Sequence, residues 1–228
     1  DVITGEVDFY TKNTDGLLFS VPLPGSSGQL SFNKNIGNVE SKGVEVVLNS
    51  KNIRSKNLQW TTSFNIANNT NEIKSLPNGN ADIITGETIN RVGESVASFF
   101  LPEFAGADPA TGDALYYTDG AGSATTNAYE DANRIIAGNS QPTWIGGLTN
   151  EINFKGLVLS FTFIGEWGAS IFNGGGVYQS SSADYFDNQT IDQLDRWQNP
   201  GDITNVPQAR LYGQNGTGPS TRYLQKGD

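Results

Sequence analysis

The sequence predicts an all-β protein, and three observations carry that prediction. Residues 58–67 alternate with a period of two. Leu58, Trp60, Thr62, Phe64 and Ile66 fall on one face, and Gln59, Thr61, Ser63, Asn65 and Ala67 on the other, as side chains do along a strand. Two pairs of such runs, at about 43–67 and 143–167, are each interrupted by a short polar stretch, which is the pattern of a hairpin. The composition agrees. Of 228 residues, 27 are Gly and 11% are aromatic, and only 17% are charged, so the polarity comes from Asn, Thr, Ser, Gln and Gly. A strand with one apolar and one small polar face has two physical settings. Its apolar face packs on a core with the polar face in water, as in a soluble β-sandwich, or its apolar face meets lipid and its polar face a wet lumen, as in a membrane barrel. The alternation itself leaves both open.

Taken in order, Val7-Asp8-Phe9-Tyr10-Thr11-Lys12 alternates as a strand. Leu17-Leu18-Phe19 is extended, Pro22 and Pro24 deny backbone donors and weaken pairing there, and residues 25–28 form a Gly/Ser loop. Val44, Val46 and Leu48 share a face opposite Glu45, Val47 and Asn49; the short basic stretch 51–57 then leads into the 58–67 strand, so the two strands are expected to pair antiparallel. Beyond residue 69 the alternation stops. Phe99-Phe100-Leu101 is an apolar patch, and Asp108-Pro109-Ala110-Thr111-Gly112-Asp113 is a turn leading to Leu115-Tyr116-Tyr117, a small hairpin within a large loop. Alternation returns at Trp144, turns tightly at Lys155-Gly156, and runs back through Leu157, Leu159, Phe161 and Phe163. From residue 169 onward it is irregular. Trp60 and Trp144 sit near strand ends and Trp167 at the far end of the last strand, where interfacial aromatic girdles would place them.

The short turns and very long loops alternate, at 69–141 and 169–228, as in outer-membrane barrels. No apolar run approaches the ~20 residues of a membrane helix. The net charge of -10 offers no basic stripe to neutralise phosphates, which argues against nucleic acid. The chain has no Cys and no His, which removes disulfides, thiolate and imidazole metal sites and His-dependent nucleophilic catalysis. It also has no Met, so the chain is expected to be processed or part of something longer.

Four stretches resemble the SusC/RagA family of TonB-dependent outer-membrane transporters. They are Asn35-Ile36-Gly37-Asn38-Val39-Glu40-Ser41-Lys42-Gly43-Val44-Glu45, with Ser41 where the family more often has Asn; Arg91-Val92-Gly93-Glu94-Ser95 through Ala105-Gly106-Ala107-Asp108-Pro109-Ala110-Thr111-Gly112-Asp113; Gly138-Asn139-Ser140-Gln141-Pro142-Thr143-Trp144-Ile145-Gly146-Gly147; and Asp195-Arg196-Trp197-Gln198-Asn199-Pro200-Gly201-Asp202, followed by Val206-Pro207. They occur in family order across nearly the whole chain. The resemblance implies that residues 1–228 are part of a large antiparallel transmembrane β-barrel with long extracellular loops, in the outer membrane. Tyr223-Leu224 would then lead into another strand. It also implies import of nutrients (oligosaccharides or peptides), energy from the TonB complex through parts of the protein absent here, a SusD-like surface lipoprotein as partner, and contact with outer-membrane lipid. The rival is a soluble β-sandwich carbohydrate-binding module.

For substrate, Tyr178, Tyr185, Phe186 and Trp197, interleaved with Asp184, Asp187, Asn188 and Asp195, combine aromatic faces with polar rims that suit a sugar; the competing account is that these rings pack the loop against itself or against the lipoprotein. Asp108, Asp113 and Asp119 lack the spacing of an EF-hand and are explained by turn geometry, so no metal is expected. Glu166, Asp192 and Asp195 are carboxylates without a catalytic motif, so neither enzymatic chemistry nor a cofactor is expected.

Overall fold

The computed structural model describes the chain apart from residues 24, 30, 36, 121, 181–187, 211–214 and 228. In chain order its strands are β1 (Ile3–Asp15), β2 (Leu18–Pro22), β3 (Ser31–Asn35), β4 (Asn38–Arg54), β5 (Leu58–Ser75), β6 (Ile83–Thr85), β7 (Thr88–Asn90) and β8 (Ser98–Pro102). Then come β9 (Phe104–Ala107), β10 (Ala114–Tyr117), β11 (Thr125–Thr126), β12 (Arg134–Gly138), β13 (Trp144–Phe154), β14 (Leu157–Trp167), β15 (Ser170–Phe172) and β16 (Leu224–Lys226). Short helical turns lie between some of them, including α1 (Gly176–Gln179). Among the described residues no helix is long and apolar enough to cross a membrane, which says nothing about crossing by strands.

The long strands make one antiparallel wall in the order β1-β4-β5-β13-β14. Its register carries the alternation across all five. Gly5, Leu48, Phe64, Leu148 and Phe163 stand side by side in one row, and Val7, Val46, Ile66, Gly146 and Gly165 in the next row of the same face. The opposite face aligns Thr4, Asn49, Ser63, Thr149 and Thr162. A one-residue slip would exchange the faces, so a wall this consistent over five strands is fixed in register by its side chains. The apolar face is bare. Phe9 is 77% exposed and Phe163 64%, whereas a soluble sandwich would cover such a face with a second sheet.

Both expected hairpins form. The β13–β14 turn is Lys155-Gly156, both at positive φ (48° and 89°), the backbone a two-residue turn between right-twisted strands requires. At the β4–β5 turn the Ser55 hydroxyl accepts the Leu58 N–H at 3.1 Å. The Lys155 N–H donates to the Asn57 carbonyl at 3.0 Å, so the two short turns sit side by side.

Three expectations need correction. First, β5 does not fade near residue 69 but pairs with β4 up to Ser75. Past residue 68 the strand rises above the apolar band, so its side chains turn polar while the backbone ladder continues; Ile73, fully buried with Val39, Leu76 and Ile83, starts a small core above the wall. Second, the stretch 76–143 is built rather than irregular, holding the sheets β12-β8-β7-β6 and β11-β10-β9. The patch at Phe99 and Leu101 is buried within it, and the expected small hairpin is β9–β10. Third, Trp144 and Trp167 are cross-strand partners at the long-loop end of the wall, whereas Trp60, opposite Ile152, lies near the short turns. Antiparallel connection makes the start of β13 level with the end of β14.

Candidate functional site

The wall solves two local problems that a lipid-facing surface sets. The first is polar groups on the apolar face. Trp60 Nε1 donates to Asn150 Oδ1 at 3.0 Å and the Thr62 hydroxyl to the same oxygen at 2.7 Å. Asn150 is buried beneath them, so these groups are satisfied inside the wall, as a medium without water demands. The second is glycine. Gly146 and Gly165 face each other and leave a groove, and the Trp167 ring lies over both, so a Cβ at Gly165 would come within 2.5 Å of it. On the other face Tyr10 covers its cross-strand partner Gly43 in the same way. An aromatic ring over a strand glycine restores the packing that the missing side chain forfeits, which gives Gly43, within the first family-like stretch, a physical reason. The polar face carries Glu6 and, two residues on, the row Asp8, Glu45, Ala67, Ile145 and Glu166.

Above the wall, two loops that leave it at different strands are fastened together. The turn 108–113 meets the segment 195–210. Trp197 is 6% exposed and lies on Gly112, whose φ of +74° and close neighbours admit no side chain. Trp197 Nε1 donates to the Pro109 carbonyl at 3.0 Å, which also accepts the Gly201 N–H at 2.7 Å. The Gly112 carbonyl accepts the Gln208 N–H and the Asn215 side-chain amide, each at 2.9 Å. Arg210 pairs with Asp113, and Asn127 Nδ2 donates to the same carboxylate at 2.8 Å. Burial alone would raise the Asp113 pKa, but the bonds from Asn127 and Arg210 outweigh it and hold it below the usual aspartate range. Asp202 is held low by the Asn199 and Gln198 backbone N–H groups that donate to it. The second and fourth family-like stretches are thus the two halves of one clasp.

Between the same two loops lies a cavity of 570 Å³. Tyr116 on β10 forms its floor, Tyr129 and Glu130 one side, and Tyr178 on α1 another. Tyr129 packs edge-on against Tyr116, with ring centroids 5.3 Å apart, and its hydroxyl donates to the Pro219 carbonyl at 2.6 Å.

Of the four aromatic residues picked out as substrate contacts, Tyr178 is half exposed and lines this cavity. Trp197 is in the clasp, outside the cavity lining, with its indole N–H engaged. Tyr185 and Phe186 lie outside the described residues. Sequence reasoning missed Tyr116 and Tyr129. Tyr116 was visible only as part of a hairpin, and nothing local distinguishes Tyr129. The carboxylates weighed for metal serve loop geometry. Asp108 Oδ1 accepts the Ala110 N–H at 2.8 Å, and Asp119 accepts the N–H and hydroxyl of Ser123. Among the described residues no three potential ligands cluster for a metal.

No protein-family model matches the chain. The TonB-dependent receptor P3 of Formosa agariphila is 31% identical over 226 residues, covering 88% of this chain and 22% of that protein. The TonB-dependent receptor SusC of Bacteroides thetaiotaomicron is 29% identical over 174 residues, covering 70% of this chain and 17% of that protein. Among solved structures, the RagAB peptide transporter superposes with a TM-score of 0.84 at 27% identity, over 99% of this chain and 25% of that one. The chain therefore spans about a quarter or less of the length of these relatives. A two-faced antiparallel wall crowned by long structured loops, with these relatives, makes the chain a segment of a TonB-dependent receptor's transmembrane β-barrel. Within that class it belongs with the SusC/RagA family.

Proposed function

We propose that this chain is part of an outer-membrane transporter that imports nutrients, oligosaccharides or peptides, with energy from the TonB complex and with a SusD-like lipoprotein as partner. The single observation that carries the reading is the wall itself. An apolar face left bare, opposite a face dominated by Thr, Ser, Asn and carboxylates among which Ile145 and Ile164 also stand, fits lipid on one side and a wet lumen on the other. On this reading the turns at 55–57 and 155–156 are periplasmic, and the loops carrying the clasp and the cavity are extracellular. There they form the rim, where substrate arrives and where a surface lipoprotein would sit. The names of the relatives support import, since they are receptors and transporters.

The test is fractionation of the source cells with an antibody against the 108–113 turn. The expected band lies in the outer-membrane fraction, leaves it only in detergent, has a mass far above 24.5 kDa, and co-purifies with a lipoprotein. A soluble 24.5 kDa monomer would sink the proposal and return the carbohydrate-binding module to the front. Loss of growth on a single oligosaccharide or peptide source after deletion of the intact gene would identify the cargo class.

A further inference from the structure

The apolar face of the wall finishes differently at its two ends. At the long-loop end the apolar rows of β4 and β5 give way to Glu40, Lys42, Glu72 and Lys74, which neutralise one another. Lys42 and Lys74 reach Glu40 at 2.8 and 3.1 Å, and Lys74 reaches Glu72 at 2.7 Å. At the other end the apolar rows run down to the turns themselves. Ile53, Trp60, Ile152 and Leu159 form one row, and Leu58, Phe154 and Leu157 the last. Beside and beyond them stand Arg54, Lys56 and Lys155, and residues 52–60 and 152–160 contain no Asp or Glu. All three cations are exposed. Among the described residues, none of the three has a carboxylate within ion-pairing distance. In a chain of net charge -10 this is a local reversal of sign. Lys51 is a separate case, since it shares a row of the polar face with Glu151, with Thr61 between them.

The placement of these cations fits a lipid headgroup. The Lys155 ammonium lies over the Phe154 ring, 5.4 Å from its centroid, which holds the charge beside the last apolar row. The bond from the Lys155 N–H to the Asn57 carbonyl sets the turn of Lys56 next to it, and Arg54, opposite Gln59, stands at the base of the same hairpin. Long cationic side chains lay their stems on apolar surface and carry their charge to the interface. The anion found at that height, directly beside the acyl chains that an apolar face meets, is the headgroup phosphate of a membrane leaflet. A soluble polyanion would leave unexplained why the cations follow directly on bare apolar residues, of which Leu157 is 76% exposed.

We propose that the paired short turns bind the phosphate of an anionic phospholipid of the periplasmic leaflet through Arg54, Lys56 and Lys155, with its acyl chains against Trp60, Phe154 and Leu157. This rests on the reading that places these turns at the periplasm.

The experiment reconstitutes the intact receptor in vesicles containing brominated phospholipids and reads the quenching that Trp60 contributes, as the difference between wild type and Trp60→Phe. Brominated phosphatidylglycerol should be preferred over brominated phosphatidylethanolamine by at least about fivefold, which is what one cation beside an anionic surface contributes. The preference should disappear in about 1 M salt, where charges act only within about 3 Å. It should also disappear in the triple variant Arg54→Gln, Lys56→Gln, Lys155→Asn, in which Asn tolerates the positive φ of residue 155. Lys42→Gln, at the opposite end of β4, should keep it. The proposal is overturned if the two lipids quench wild type equally, if the triple variant keeps the preference, or if Lys42→Gln abolishes it. Displacement by inorganic phosphate at the lipid's own concentration would overturn it too, by showing a site for a free anion. The two readings fail separately. If both lipids quench Trp60 equally, the lipid-facing wall stands and this proposal alone falls; if no brominated lipid quenches Trp60, the wall's own assignment falls with it.

Discussion

Trp197 donates its indole N–H to the carbonyl of Pro109, 3.0 Å away and 88 residues earlier in the chain. That bond crosses from one long loop to the other, beside Gly112, where a Cβ would come within 2.6 Å of the Trp197 ring. Trp197→Ala should therefore free both loops and cost about 3–5 kcal/mol of loop stability through the lost burial. Limited proteolysis would report it, with cleavage rising at 108–113 and 198–205 and the wall left intact. Trp197→Phe keeps most of the packing, loses the hydrogen bond, and should fall between. Equal protease resistance in all three proteins would remove the clasp as a fastening.

The clasp should be sensitive to acid. The pKa of Asp113, bonded to Asn127 and Arg210, and that of Asp202, capped by two backbone N–H groups, are both lowered in the folded protein. A lowered carboxylate pKa contributes stability that is present above its unfolded value, about 3.9, and is lost as pH falls through the folded value. Loop protection should be constant at neutral pH and decline below about pH 4, with the shift confined to acid. Asp113→Asn should bring the unclasped cleavage pattern to neutral pH and flatten its dependence on pH.

Charge placed on the two faces of the wall should have opposite consequences. Leu148 and Thr149 are neighbours on β13, facing opposite ways at the same height. Leu148→Arg puts a cation toward lipid and should cost about 2–4 kcal/mol, seen as loss of the folded, heat-modifiable band of the intact receptor. Thr149→Arg faces the lumen and should leave that band unchanged. Equal tolerance of both would contradict the assignment of faces.

The ring over the paired glycines gives a spectroscopic prediction. In Gly165→Ala the new methyl would meet the Trp167 ring at 2.5 Å and push it out of the groove over Gly146. The cost is about 1–3 kcal/mol, and the Trp167 emission, isolated by replacing the other tryptophans with Phe, should change its maximum. Gly43→Ala should displace Tyr10 on the opposite face and leave Trp167 emission as it is.

The wall was legible in the sequence because it is made by local rules. Period two names the faces, and Lys155-Gly156 names a turn. Where the alternation lost its apolar half, as after residue 68 in β5, the strand went on unseen, because backbone pairing with β4 does not need apolar side chains. Alternation alone also could not separate lipid from core, since both are apolar surroundings; the short turns, the long loops and the tryptophan positions suited a barrel, and the order of the family-like stretches moved the reading to it.

The sequence by itself determined the all-β class, the two hairpins, the absence of imidazole and thiol chemistry, and the family. Only the tertiary structure decided what the family-like stretches do for one another. Gly112 and Trp197 are 85 positions apart, and no periodicity links them. Their contact exists because β5–β13 and β14 lift their two loops to the same end of one wall. The same juxtaposition sets Tyr116 against a cavity and packs Trp197 into the clasp, so a tyrosine that read as part of a hairpin lines a cavity, while a tryptophan weighed both as a sugar contact and as loop packing fastens two loops together.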